Sequence, residues 1–118
     1  MTGVRRRELI VDDHQPFRAT ARELLEEAGY IAAGEAGNAT EALAAVAADA
    51  PDAVLLDVQL PDEDGFVVAT LTAEGGPAVV LISSREADDY GRRIEACGAR
   101  GFIPKSRLSA AAFAALVD

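Results

Sequence analysis

Short, unbroken apolar runs alternate along the chain with longer stretches of helical period. Residues 9–11, 53–56 and 78–82 consist only of Leu, Ile, Val and Ala. A parallel strand buried on both faces requires such uninterrupted apolarity, whereas a half-exposed strand alternates. Residues 30–34 and 101–103 are weaker runs, expected nearer the sheet edges. Between the runs, Phe17, Ala21, Leu24, Leu25 and Ala28 share one helical face, and Gly29 stops that helix. Asn38 with Glu41 has the spacing of a capping box for a second helix, with Ala39, Leu43 and Val46 inward. Asp64-Gly65 precede a short third helix carrying Phe66, Val67 and Leu71, which Gly75-Gly76-Pro77 ends. Ser84 is placed to cap a fourth, presenting Ala87, Tyr90, Ile94 and Cys97 inward before Gly98. Ser109 is placed to cap a fifth, with Leu108 and Phe113 spaced as a hydrophobic staple. Five strand–helix repeats predict a parallel sheet with right-handed crossovers and helices on both faces.

The polar residues that follow these runs carry the chemistry. The first strand runs into Asp12-Asp13, the third into Asp57, the fourth into Ser83 and the fifth into Lys105. Parallel strands point the same way, so all five side chains gather at the carboxyl edge, where open α/β sheets bind ligands. Carboxylates brought that close resist ionising together. A hard divalent cation relieves the repulsion, and Mg²⁺ commonly shares its shell with a phosphate. Lys105 adds a second positive charge, and the Ser83 hydroxyl can donate to an oxyanion. The set describes a pocket for a metal and a tetrahedral anion beside a carboxylate able to attack phosphorus and form an acyl phosphate. Ser83 and Ser84 compete for one role; counting back from Lys105 favours Ser83 for the pocket and Ser84 for the cap. His14 has no second His or Cys beside it and reads as a surface residue. Cys97 reads as a small core residue.

Composition narrows the field further. The 118 residues predict one domain over 1–118, with 11 Lys or Arg against 20 Asp or Glu, a net charge of −9. That acidity argues against direct nucleic-acid binding, which needs basic patches. The basic run at residues 5–7 is short and reads as solvated surface. No apolar run approaches the ~18 residues of a membrane span, and the first one is too short for a signal peptide. A single cysteine excludes an internal disulfide framework and suits the cytosol.

With these residues in view, four segments resemble the receiver domain of two-component response regulators. They are residues 9–14 (LIVDDH), 55–65 (LLDVQLPDEDG), 80–83 (VLIS) and 98–105 (GARGFIPK). The resemblance covers nearly the whole chain. It implies a (βα)₅ doubly wound, flavodoxin-like α/β fold, a five-stranded parallel sheet in the order 2-1-3-4-5. It also implies a phosphorylation-dependent signalling switch in the cytoplasm, with no chemistry on external substrates. Asp57 would be the phosphoacceptor, charged by a sensor histidine kinase or a small-molecule donor. Asp13 would bind Mg²⁺ directly, Asp12 partly through water, and Asp57 and the backbone carbonyl of Gln59 would complete the protein ligands. Ser83 and Lys105 would hold the phosphoryl group, and Phe102 falls at the aromatic switch position. Lys105 is preceded by Pro104 and followed by Ser106, where many receivers have proline after the lysine. The stretch from Asp57 to Ser83 is short for the family, which should trim the third helix. Phe17-Arg18 and the Pro-Lys-Ser ending resemble receivers of the NarL/LuxR type. Those usually control transcription through a C-terminal helix-turn-helix DNA-binding domain, absent from these residues, and homodimerisation on activation would be in character. An aspartyl-nucleophile phosphohydrolase of the haloacid-dehalogenase pattern would have a second aspartate where Gln59 stands.

Overall fold

The computed structural model describes residues 6–117, so the start of the 5–7 basic run and the extreme ends of a 1–118 domain lie outside the described residues. Five strands, β1 (Arg7–Val11), β2 (Ile31–Ala36), β3 (Ala53–Asp57), β4 (Ala78–Ser83) and β5 (Gly101–Pro104), form one sheet. Its order is β2-β1-β3-β4-β5 and every pairing is parallel. The two weak apolar runs are indeed the edge strands. The second runs further than its apolar stretch, to Ala36, because the ladder with β1 continues through Glu35.

The helices are α1 (Gln15–Glu27), α2 (Ala39–Asp49), α3 (Gly65–Ala73), α4 (Arg93–Ala96) and α5 (Ala110–Val117). Alternation along each strand divides the core into two layers. Leu9, Val11, Val54, Leu56, Val79 and Leu81 pack with residues of α2 and α3 on one face. Ile10, Leu55, Val80 and Ile82 pack on the other with Ala21 and Leu25 of α1 and Phe113 and Val117 of α5. This sandwiching explains why β3 and β4 read as unbroken apolar runs.

Caps place the helices. Asn38 Oδ1 accepts from Glu41 N–H at 2.8 Å, and Glu41 reaches back to Gly37 N–H rather than to that of Asn38. Asp62, from the loop after β3, accepts from the N–H groups of Ala39 and Thr40 and holds α2 to that loop. These bonds, led by that of Ala39 N–H, draw the Asp62 carboxyl below its ordinary range. Ser109 Oγ caps α5 by accepting from Ala112 N–H.

Three expectations need correction. The fourth helix is not continuous from Ser84: a 3₁₀ turn over Ala87–Asp89 is separated from the single-turn α4. Glu86 and Asp89 form a capping box of their own, and Gly91 at φ 57° breaks the helical path. Ser84 is exposed and caps nothing, and Ala87 is exposed too. On α3, Val67 and Leu71 face solvent, 42% and 64% exposed; Phe66, Val68, Ala69 and Thr72 form the buried side. Ala28 is the exposed C-cap of α1 rather than part of its inner face, ahead of Gly29 at φ 97°.

One buried residue has no signal in the sequence pattern. Glu8 of β1 is 0% exposed, on the same face of the sheet as Ile10, and neither of its carboxylate oxygens has a hydrogen-bond partner. Burial, reinforced by Glu26 and only partly countered by its own backbone N–H and Arg22, pushes its carboxyl up to about 7.

Candidate functional site

Strand register assembles the pocket. Val11 pairs with Leu56, so the next residues, Asp12 and Asp57, end adjacent strands side by side. Asp57 pairs with Ile82, one residue before Ser83, and Ser83 pairs with Pro104, one residue before Lys105. Each side chain is therefore delivered at the same edge by the end of a strand. Carboxylate oxygens of Asp12, Asp13 and Asp57 lie within 4.8 Å of one another. Asp12 and Asp57 are buried, and Asp13 faces solvent.

The surroundings fix these groups. Arg18 of α1 donates to the Asp12 backbone carbonyl at 2.5 Å and to Glu35 at 3.0 Å, pinning the turn after β1. Asp12 Oδ1 accepts from His14 N–H, and Asp57 Oδ1 from Gln59 N–H. Gly65 begins α3 tight against β3: a Cβ there would lie 2.4 Å from the Asp57 carbonyl oxygen and 2.7 Å from Val58 Cα. Only glycine permits that approach. Gln59 bridges to Asp64, and the loop between them folds back beside the pocket.

Lys105 enters from a 3₁₀ turn, Lys105–Arg107, directly after the trans Pro104. Its Nζ lies 2.6 Å from Asp12 Oδ2 and 3.2 Å from Asp57 Oδ2, bridging the two acids. The contact with Asp12 is an ion pair that seats the buried Oδ2 against the ammonium. Phe17 lies beneath the ammonium, 4.7 Å from Nζ to the ring centroid. Burial works against the Lys105 charge, yet Asp12 and Asp57 outweigh it and hold the ammonium above its ordinary range. Burial pushes the Asp57 carboxyl up to about 6; the Asp12 charge adds to this, and Gln59 N–H and Lys105 oppose it.

Three carboxylates, two of them buried, share the Lys105 ammonium and are short of positive charge. The donor set is all oxygen and partly open to solvent through Asp13, which fits a hard divalent cation such as Mg²⁺. Of the seven residues named from sequence, Asp12, Asp13, Asp57 and Lys105 meet directly. Gln59 is held against Asp57 through its N–H, with an exposed side chain. Ser83 is fully buried at the adjacent strand end; its Oγ accepts from Arg85 N–H at 3.0 Å and lies 2.7 Å from the Tyr90 hydroxyl. Phe102 is half-buried, its ring 5.7 Å from that of Tyr90. Sequence pattern places Phe17 and Tyr90 only on inner helix faces. Their nearness to Lys105 and Ser83 depends on how α1 and the 84–97 segment dock, which local pattern does not encode.

A parallel sheet ordered 2-1-3-4-5 with an acidic, lysine-bridged pocket at its carboxyl edge defines a flavodoxin-like α/β protein. Residues 9–116 match the response regulator receiver domain, and the chain belongs to that family of two-component signalling proteins. It is 35% identical over 99 residues to the virulence-factor transcription regulator BvgA of Bordetella pertussis, covering 82% of this chain and 47% of that protein. With the transcriptional regulatory protein PdtaR of Mycobacterium tuberculosis it shares 36% over 105 residues, 87% of this chain and 51% of the relative. The chain thus spans about half the length of these curated relatives. The signal receiver domain of NarL from Mycobacterium tuberculosis superposes with a TM-score of 0.82 at 30% identity, covering 90% of this chain and 88% of that one. Among the described residues, no helix is long and apolar enough to cross a membrane.

Proposed function

We propose that this receiver is switched by transfer of a phosphoryl group to Asp57 from a sensor histidine kinase, with Mg²⁺ required. The observation that carries this reading is the meeting of Asp12, Asp13 and Asp57 within 4.8 Å under a lysine that bridges two of them. Asp12, Asp13, Asp57 and the Gln59 carbonyl would hold Mg²⁺, which when bound neutralises charge on the acids and on the transferring group. An Asp57 carboxylate oxygen forms the new bond to phosphorus while the phosphorus–nitrogen bond of the donor phosphohistidine breaks. The leaving imidazole keeps the electron pair and takes a proton. Lys105 Nζ, already 3.2 Å from Asp57 Oδ2, meets the charge that accumulates on the phosphoryl oxygens. Ser83 donates its hydroxyl proton to one of those oxygens. Phe102, packed beside the segment that follows Ser83, is the aromatic that responds.

Phosphorylation replaces one negative charge with nearly two and adds acceptor oxygens, which biases a two-state equilibrium of the 84–97 segment and β5. The receiver turns over only its own phosphoryl group. Kinship with BvgA and PdtaR supports a regulator of transcription; the resemblance to NarL/LuxR-type receivers extends the reading to a cytoplasmic protein whose output runs through homodimerisation and a DNA-binding domain. The test is labelling by phosphoramidate followed by intact-protein mass spectrometry. One phosphoryl group should add in Mg²⁺ and none in chelator or in Asp57→Asn. Steady release of phosphate from phosphoesters would instead favour a phosphohydrolase.

A further inference from the structure

The Ser83 hydroxyl is committed to a partner outside the acidic pocket. Its Oγ lies 2.7 Å from the hydroxyl of Tyr90, seven residues on, and also accepts from Arg85 N–H. A serine hydroxyl has one proton and two lone pairs. Arg85 fills one lone pair. If Ser83 spends its proton on a phosphoryl oxygen, Tyr90 can stay bonded only as donor to the second lone pair. The count closes with Tyr90 O–H donating to Ser83 Oγ and Ser83 O–H donating to the phosphoryl group. Building on the phosphoacceptor reading above, we propose that Tyr90 is a positioning residue that orients the Ser83 proton toward the phosphoryl group and carries its displacement into the broken fourth helix.

The surroundings of Tyr90 suit that role. Its ring stands between Phe66 of α3, 5.4 Å away, and Phe102 of β5, 5.7 Å away. The Arg93 guanidinium of α4 lies 4.2 Å over Phe66 and pairs with Asp64, the N-cap of α3, at 2.6 Å. Asp64 in turn bridges to Gln59, beside Asp57. A shift of Tyr90 is therefore felt by three elements, and the interruption at Gly91 leaves its segment free of the cooperativity of a continuous helix.

The chain has two tyrosines and no tryptophan, so Tyr30→Phe leaves Tyr90 as the sole tyrosine chromophore. Titration with beryllofluoride in Mg²⁺ should perturb the tyrosine ultraviolet difference spectrum of Tyr30→Phe. Tyr90→Phe removes only the hydroxyl; its melting temperature reports that it folds. It should bind beryllofluoride about fivefold more weakly, the equivalent of one neutral hydrogen bond, with unchanged Mg²⁺ affinity. In the same variant, amide exchange of residues 84–97 should lose most of its response to beryllofluoride. Unchanged or tighter beryllofluoride binding by Tyr90→Phe overturns the proposal, as does binding to Tyr30→Phe that leaves the tyrosine spectrum unaltered. If the wild-type chain fails to bind beryllofluoride at all, the phosphoacceptor reading falls and takes this one with it.

Discussion

Glu8 provides a test of the core that is independent of the pocket. It is 0% exposed at the start of β1, and its carboxyl is pushed up to about 7 from the ordinary 4.5. Below that ordinary value the group is protonated in both folded and unfolded chains and its ionisation adds no cost. As pH rises from there toward 7, the unfolded chain releases the proton first, so stability falls; above 7 the loss levels off. The shift from 4.5 to about 7 corresponds to at most about 3 kcal/mol. Glu8→Gln keeps the shape and removes the titration. Urea unfolding of both proteins from about pH 5 to about pH 8 should show the wild type losing stability relative to the variant, with equal m-values. Asp57 titrates in both proteins, so its contribution cancels in the difference. Ala53, the partner of Glu8, precedes Asp57 by four residues on β3, about 13 Å at ~3.3 Å per residue, which limits coupling. Parallel pH profiles for the two proteins would refute the claim that Glu8 is buried uncharged.

Three further outcomes follow from particular contacts. Ala50 ends α2 at φ 44°, a left-handed conformation that a Cβ disfavours, so Ala50→Gly should raise stability by about 1 kcal/mol in urea unfolding. Gly65→Ala drives a methyl into the Asp57 carbonyl and Val58, and should lower both stability and Mg²⁺ affinity by calorimetry, by roughly tenfold for the latter. Lys105→Ala removes a charged partner of the phosphoryl group and should weaken beryllofluoride binding about ten- to hundredfold while leaving Mg²⁺ affinity far less affected; equal losses would contradict the role given to Lys105.

The contrast between what local pattern revealed and what it hid has physical causes. Strands sandwiched by helices on both faces must be apolar throughout, so β1, β3 and β4 are visible as runs, and the residue after each run must lie at one edge. That made Asp12, Asp13, Asp57, Ser83 and Lys105 legible as a set before any geometry was known. Helical period was less reliable where the helix is short. Residues 84–97 carry inward-looking spacing, but Gly91 adopts a left-handed turn and Glu86 starts a separate 3₁₀ turn, so Ser84 has no helix to cap. Val67 and Leu71 look like core residues by composition, yet α3 already buries Phe66, Val68 and Ala69 against the sheet. Pairings such as Tyr90 with Ser83, or Phe17 with Lys105, join distant elements and have no local signature. Glu8 is hidden for the same reason: a single charged residue beside an apolar run looks like a strand end, and burial comes only once α1 packs over β1.

Phosphorus is proposed to arrive on Asp57 and nowhere else. Borohydride reduction of the phosphoramidate-treated protein, followed by peptide sequencing, tests it directly, because reduction of an aspartyl phosphate leaves homoserine at the acceptor position. Homoserine is expected at position 57 alone, and only when Mg²⁺ was present. Homoserine at position 12 or 13, or none anywhere after phosphoryl incorporation, would contradict it.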